Sequence, residues 1–182
     1  MTLKDMTDGL LMDAVKGFTR FHSDLVIESH ETHSGLFVSI QTHADDMPKL
    51  IGSSGCMIAA LRCICDAIGQ VRGKSIVLDV SEPKKGSKLP QDGYRYDENY
   101  NPGLVVPLLE RFSEAIWCDS VEIKMVNIGR EVTAFIIDSE VPRDRNLSNA
   151  LSTVVHAIGK AHGRKLYVEV DGTAVNDRRV SD

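Results

Sequence analysis

Two stretches of this chain repeat each other at one constant offset, and no other feature limits its fold so strongly. Ala60-Leu61 returns as Ala150-Leu151, Ala67-Ile68-Gly69 as Ala157-Ile158-Gly159, Gly73-Lys74 as Gly163-Arg164, and Asp79-Val80 as Glu169-Val170. An unchanging offset over separate matches marks an internal repeat. The chain has 182 residues, enough for two small domains, so each copy is expected to be a small fold of its own.

The apolar pattern supplies the elements of each copy. Leu3, Met6, Leu10, Leu11, Ala14, Val15, Phe18 and Phe21 lie on one stripe, which predicts an amphipathic helix over 3–22. Asp24 to Ser29 and Leu36 to Thr42 read as two strands joined by a turn at Ser34-Gly35. Ala44-Asp45-Asp46-Met47-Pro48 reads as the cap and first turn of a short helix. Ile58, Leu61, Ile64, Cys65 and Ile68 then recur at helical spacing, Gly69 and Gly73 mark the helix exit, and the β-branched run Ser75 to Val80 closes as a strand. The second copy has a helical pattern from Leu104 to Trp117 and strands over Ser120–Val126 and Val132–Ile137, with a turn at Ile128-Gly129-Arg130 between them. A helix capped by Asn146 follows, carrying Leu147, Leu151, Val154, Val155 and Ile158, and Lys165 to Val170 forms a closing strand.

Between the short and long helices of the first copy stands Leu50-Ile51-Gly52-Ser53-Ser54-Gly55-Cys56. Two glycines three apart allow a tight turn whose backbone meets a ligand with no Cβ in the way. The second glycine opens a helix, so unpaired N–H groups and the positive end of the helix dipole face the turn. That geometry suits a phosphate. In the second copy the matching positions are Pro142-Arg143-Asp144-Arg145. Proline fixes its own φ and lacks an N–H, and Arg145 carries a Cβ where Gly55 has none. A close backbone clamp is therefore not expected there.

Ile51-Gly52, Gly55, Ile58, Ala60-Leu61-Arg62, Gly73-Lys74 and the strand Ile76 to Val80 together resemble the KH domain, and most closely the small KH proteins of bacteria. The resemblance is specific over residues 48–80 and extends back to residue 20. It implies an α+β fold of type II order, helix-strand-strand-helix-helix-strand, in which helices cover a three-stranded sheet. With the repeat, the expectation is two KH-like domains, the second with a degenerate loop: 1–81 and 104–170, separated by a polar linker over 82–103 and followed by a tail over 171–182. Paired KH folds also occur in large bacteriophages, so the implied setting is the cytoplasm of a bacterium or a phage-infected bacterium.

The resemblance implies single-stranded RNA, such as mRNA, or single-stranded DNA as the partner. Phosphates would meet the loop Gly52, Ser53, Ser54 and Gly55. Bases would lie in a groove lined by Ile51, Met57, Ile58 and Ala59 and flanked by Lys49 and Arg62. Arg143 and Arg145 would add a secondary contact through their side chains. The family usually carries lysine or arginine in and just after the loop; Ser53, Ser54, Cys56 and Ala59 stand there in this chain, so weak intrinsic binding is expected.

Charge argues in the same direction. The net charge is −5, whereas strong sequence-independent nucleic-acid binding rests on an excess of lysine and arginine. The alternative function is a protein–protein adaptor or assembly factor, including self-association, built on KH-like folds. The linker interleaves Lys84, Lys85, Lys88 and Arg95 with Tyr94, Tyr96 and Tyr100; tyrosines there either stack on bases or rest on a neighbouring domain. Cys56, Cys63, Cys65 and Cys118 lack the spacing of a disulfide framework or a zinc site and read as free thiols. His30, His33 and His43 show no ligand spacing either, so neither a metal nor a cofactor is expected. No catalytic arrangement is recognisable, which argues against an enzyme. No signal peptide and no membrane-length apolar run is evident in the sequence.

Overall fold

The computed structural model describes residues 2–81, 100–117, 121–127, 132–138 and 144–170. Helix α1 (Leu3–Lys16) starts at a capping box, in which the Thr2 hydroxyl accepts the Asp5 N–H and the Asp5 carboxylate accepts the Thr2 N–H. It stops sooner than its stripe predicts. After Gly17 the chain turns, yet Phe18 and Phe21 remain buried. Their spacing imitates a helix although both lie beyond it: Phe18 joins the core cluster, while Phe21 packs against His43.

Strands β1 (Val26–Glu31) and β2 (Gly35–Gln41) form an antiparallel hairpin in which His30 faces Phe37. β3 (Ser75–Val80) pairs parallel to β2, with Phe37 opposite Val77. A parallel neighbour needs a crossover, here the short helix α2 (Met47–Ile51) and the long helix α3 (Cys56–Val71). The run Met47–Val71 is long and apolar enough for a membrane span by composition and length, which the sequence reading did not anticipate. It is broken at Gly52, Ser54 and Gly55, all at positive φ, and Leu61, Ile64, Cys65 and Ile68 on its second part are buried in the core.

The second half repeats the plan with α4 (Val106–Trp117), β4 (Glu122–Asn127), β5 (Val132–Asp138), α5 (Arg145–Ala161) and β6 (Lys165–Val170). β4 pairs antiparallel and β6 parallel to β5. The molecule is thus α+β, with two three-stranded sheets, each covered by helices. The halves differ at the crossover. Residues 42–55 join β2 to α3, whereas residues 139–144 separate β5 from α5, and of these 139–143 lie outside the described residues.

A single cluster of buried apolar residues runs through both halves, from Met6, Leu10 and Val38 to Phe112, Val154 and Leu166. α3 packs along α5, and α4 lies against both α1 and α3. Arg111 on α4 pairs with Asp13 on α1, and Ile158 on α5 comes so near Gly17 that a Cβ there would meet its side chain at 2.7 Å. Of the expected linker, residues 82–99 lie outside the described residues, as does the tail 171–182. Its last residues are ordered into the second half: Tyr100 is buried with its ring stacked on His162 at 4.0 Å, and Pro102–Val105 forms a 3-10 turn. Burial also pushes the Tyr100 phenol up to about 12; buried and already stacked on His162, this tyrosine packs within the chain.

Candidate nucleic-acid interface

α2 ends at Ile51, and Gly52 turns the chain at φ 78°, ψ 173°. A Cβ at Gly52 would lie 2.7 Å from the Met57 nitrogen and 2.8 Å from its Cβ, so the turn closes tightly on the start of α3. Ser54 (φ 53°) and Gly55 (φ 79°) take the left-handed conformation. The Gly55 N–H donates to the Gly52 carbonyl at 3.2 Å, closing a small ring. Nothing lies within 4 Å of a Cβ built on Gly55, so this side of the loop is open. No side chain caps the N-terminus of α3, while Ser53 and Ser54 are exposed. The loop thus presents two hydroxyls, an uncapped helix start and free approach, a combination suited to a phosphate.

The flanking residues depart from expectation. Met57 and Ile58 are 3% and 8% exposed and belong to the core cluster, so they offer little surface to a ligand. Ile51 is 41% exposed, and Ala59 is exposed one turn into α3. These two supply the apolar surface beside the loop.

The cations are already engaged. Lys49 donates from Nζ to Asp46 Oδ1 at 2.8 Å. Asp46 is fully buried, and its other oxygen accepts the Arg20 and Phe21 N–H groups at 2.6 and 2.8 Å. Burial raises the pKa of Asp46, but the bonds from Lys49, Phe21 and Arg20 outweigh it and hold the carboxyl below its usual value. This buried carboxylate went unread in the sequence, since Asp46 there looked like one of two polar residues at a helix start. Arg62 lies along the open edge of β3: its Nε donates to the Leu78 carbonyl at 3.0 Å, and its Nη2 is 4.0 Å from Asp79 Oδ1. Lys74 pairs with Glu31 at 2.5 Å.

In the second half Pro142 and Arg143 lie outside the described residues. Arg145 is exposed as the first residue of α5. Asp144, not Asn146, caps this helix, its carboxylate accepting the Asn146 and Leu147 N–H groups at 2.8 and 3.3 Å. The N-cap sits one residue before the first helical turn, where aspartate serves as well as asparagine.

The thiols follow their burial. Cys56 is exposed, Cys63 half-buried and Cys65 buried. Burial, with Asp66 adding to it, pushes Cys65 up to about 12, which leaves it an inert core residue; Cys118 lies outside the described residues. His43 packs against Phe21 with ring centres 4.0 Å apart. Among the described residues no group of three or more histidines, cysteines or carboxylates is placed to hold a metal ion.

Known proteins share this first half. The family model described as KhpA/KhpB, KH domain matches residues 9–80. A protein named RNA-binding protein KhpA from Listeria monocytogenes is 30% identical over 73 residues, which cover 40% of this chain and 96% of the relative. The protein of the same name from Streptomyces coelicolor is 31% identical over 75 residues, covering 41% of this chain and 91% of the relative. Since the family model spans the segment that carries the glycine loop and the alignments take in nearly the whole of each relative, the chain belongs to the KhpA/KhpB family of KH-domain proteins.

Proposed function

We propose that the chain binds single-stranded RNA in a bacterial cytoplasm, cellular transcripts included, and that the Gly52–Gly55 loop holds the phosphate backbone. One observation carries the reading: the loop turns at positive φ at both glycines and leaves open space beside Gly55, next to an uncapped helix start. The KhpA/KhpB family model covers this segment, and the relatives are named RNA-binding protein KhpA. Apolar Ile51 and Ala59 supply surface for bases, and Arg62 lines the β3 edge beside them. Arg145 is a secondary contact at most.

Ser53→Asp with Ser54→Asp tests the loop. Both positions are exposed, and aspartate tolerates the left-handed backbone of Ser54, so the fold survives while two carboxylates confront the phosphate. The expected result is at least a tenfold loss of affinity for a short single-stranded RNA by fluorescence anisotropy, with the melting temperature nearly unchanged; equal affinity would remove the loop from the site. Because Lys49, Arg62 and Lys74 are held by groups of the chain itself, few counterions are released. A log–log salt slope of about −2 or shallower is expected, following roughly −0.7 per neutralised phosphate for single strands. A slope of roughly −6 would require a basic surface elsewhere.

The adaptor reading has one observation in its favour, the engagement of those same cations with carboxylates and a carbonyl. Failure of the wild-type chain to bind any single-stranded RNA at low salt would favour it.

A further inference from the structure

The sequence gives no reason to look between α3 and α5, yet the packing of the halves leaves a cleft there. Its volume is about 390 Å³, within the range of roughly 300–1,000 Å³ usual for small-molecule sites. Ala59, Arg62, Asp66 and Gln70 line it from α3, and Asp144 and Asn146 face them from the start of α5. Along α3 these positions form a stripe that begins four residues, about 6 Å at 1.5 Å per residue, beyond Gly55. A strand held by its phosphate at the glycine loop therefore has the mouth of the cleft within a nucleotide's reach.

The lining decides what can enter. Asp66 and Asp144 are both exposed carboxylates, and both line the cleft together with the half-buried Cys63. Burial raises that thiol's pKa first, and Asp144 and Asp66 raise it further. Arg62 in the same lining is engaged by the Leu78 carbonyl and lies near Asp79, so the two carboxylates leave the wall net negative and unfavourable to a phosphate. A base that presents an exocyclic amino group is not disfavoured, since carboxylates accept from the amino group of cytosine. Uracil has the same shape but places a carbonyl oxygen where cytosine has its amino group, and two carboxylates disfavour that oxygen.

We propose that this cleft receives a nucleobase bearing an exocyclic amino group, so that the second half of the chain supplies one wall of the site that selects bases. The proposal rests on the RNA-binding reading above and adds selectivity to it. It also gives the second half a role that needs no glycine loop.

The test uses the full chain and two fluorescent eight-nucleotide RNAs, oligo(C) and oligo(U), which differ at the edge in question. Asp66→Asn with Asp144→Asn removes both charges while asparagine keeps the helix cap. Wild-type protein is expected to bind oligo(C) about tenfold more tightly than oligo(U), in line with the discrimination of a good base-edge contact. In the double variant the preference falls to about twofold or reverses, and oligo(U) affinity changes by less than about threefold. Wild-type binding without preference overturns the cleft proposal and leaves the RNA-binding reading intact. So does a variant that gains affinity equally for both RNAs, because the carboxylates would then only repel the backbone. Absence of wild-type binding to either RNA overturns both.

Discussion

At the scale of single residues, Gly52 and Gly55 look equivalent in the sequence and are not equivalent in space. Both sit at positive φ, which costs a residue with a side chain about 1–2 kcal/mol. At Gly55 that is the whole penalty, because the space around it is empty. At Gly52 a Cβ also meets the backbone nitrogen of Met57. Gly55→Ala is therefore expected to cost about 1 kcal/mol and Gly52→Ala clearly more, a ranking that urea denaturation reads directly. Asp46 supports a second prediction. Its carboxyl titrates lower when folded, so its contribution is present above its usual value of 3.8 and is lost as pH falls through the lower, folded one. Asp46→Asn should cost about 2 kcal/mol at pH 7, as expected for charge-assisted bonds. The difference from wild type should shrink in denaturation curves taken below pH 3.8.

At the scale of elements, much was legible. β3 and β6 span the residues their β-branched runs indicate, and the repeat placed α3 and α5 in matching positions. Periodicity reports the apolar side of a segment but not the partner that covers it. It therefore extended α1 through Phe18 and Phe21, and could not show that Met57 and Ile58 are buried in the core. Nor could it pair Lys49 with Asp46, whose carboxylate is buried by a loop far along the chain. Gly69 and Gly159 are a subtler case. Gly69 reads as a helix exit and Gly159 is its repeat, but each lies inside its helix, which continues to Val71 or Ala161. Their role is close approach: a Cβ at Gly69 would meet the Lys74 carbonyl at 2.4 Å, and one at Gly159 the Arg164 carbonyl at 2.7 Å. The same two residues donate back, Lys74 to Gly69 at 2.9 Å and Arg164 to Gly159 at 2.8 Å. Each glycine thus lets the next strand return directly over its helix. Gly69→Ala and Gly159→Ala are both expected to lower the melting temperature by several degrees, since overpacking against backbone costs about 1–3 kcal/mol. An unchanged melt for either would show that the turn relaxes freely.

For the whole molecule, the shared core changes what the two halves can do alone. The repeat and the linker suggest separable domains, but α3 buries its side against α5 and one apolar cluster crosses between the halves. Fragments 1–82 and 103–182 are each expected to expose part of that cluster, to melt less cooperatively than the full chain and to bind a dye specific for exposed apolar surface. Independent folding of both fragments, with melting curves that add up to that of the full chain, would contradict this. The alignments cover 40% and 41% of this chain but 96% and 91% of the relatives, so a chain of their length is too short to hold both α3 and α5 as they are spaced here. Joining both helices in one polypeptide holds them at an effective concentration on the order of millimolar. The contact therefore withstands dilution that would separate two free partners, and its melting temperature should stay the same from micromolar to nanomolar protein, where an intermolecular pair would lose stability with every tenfold dilution.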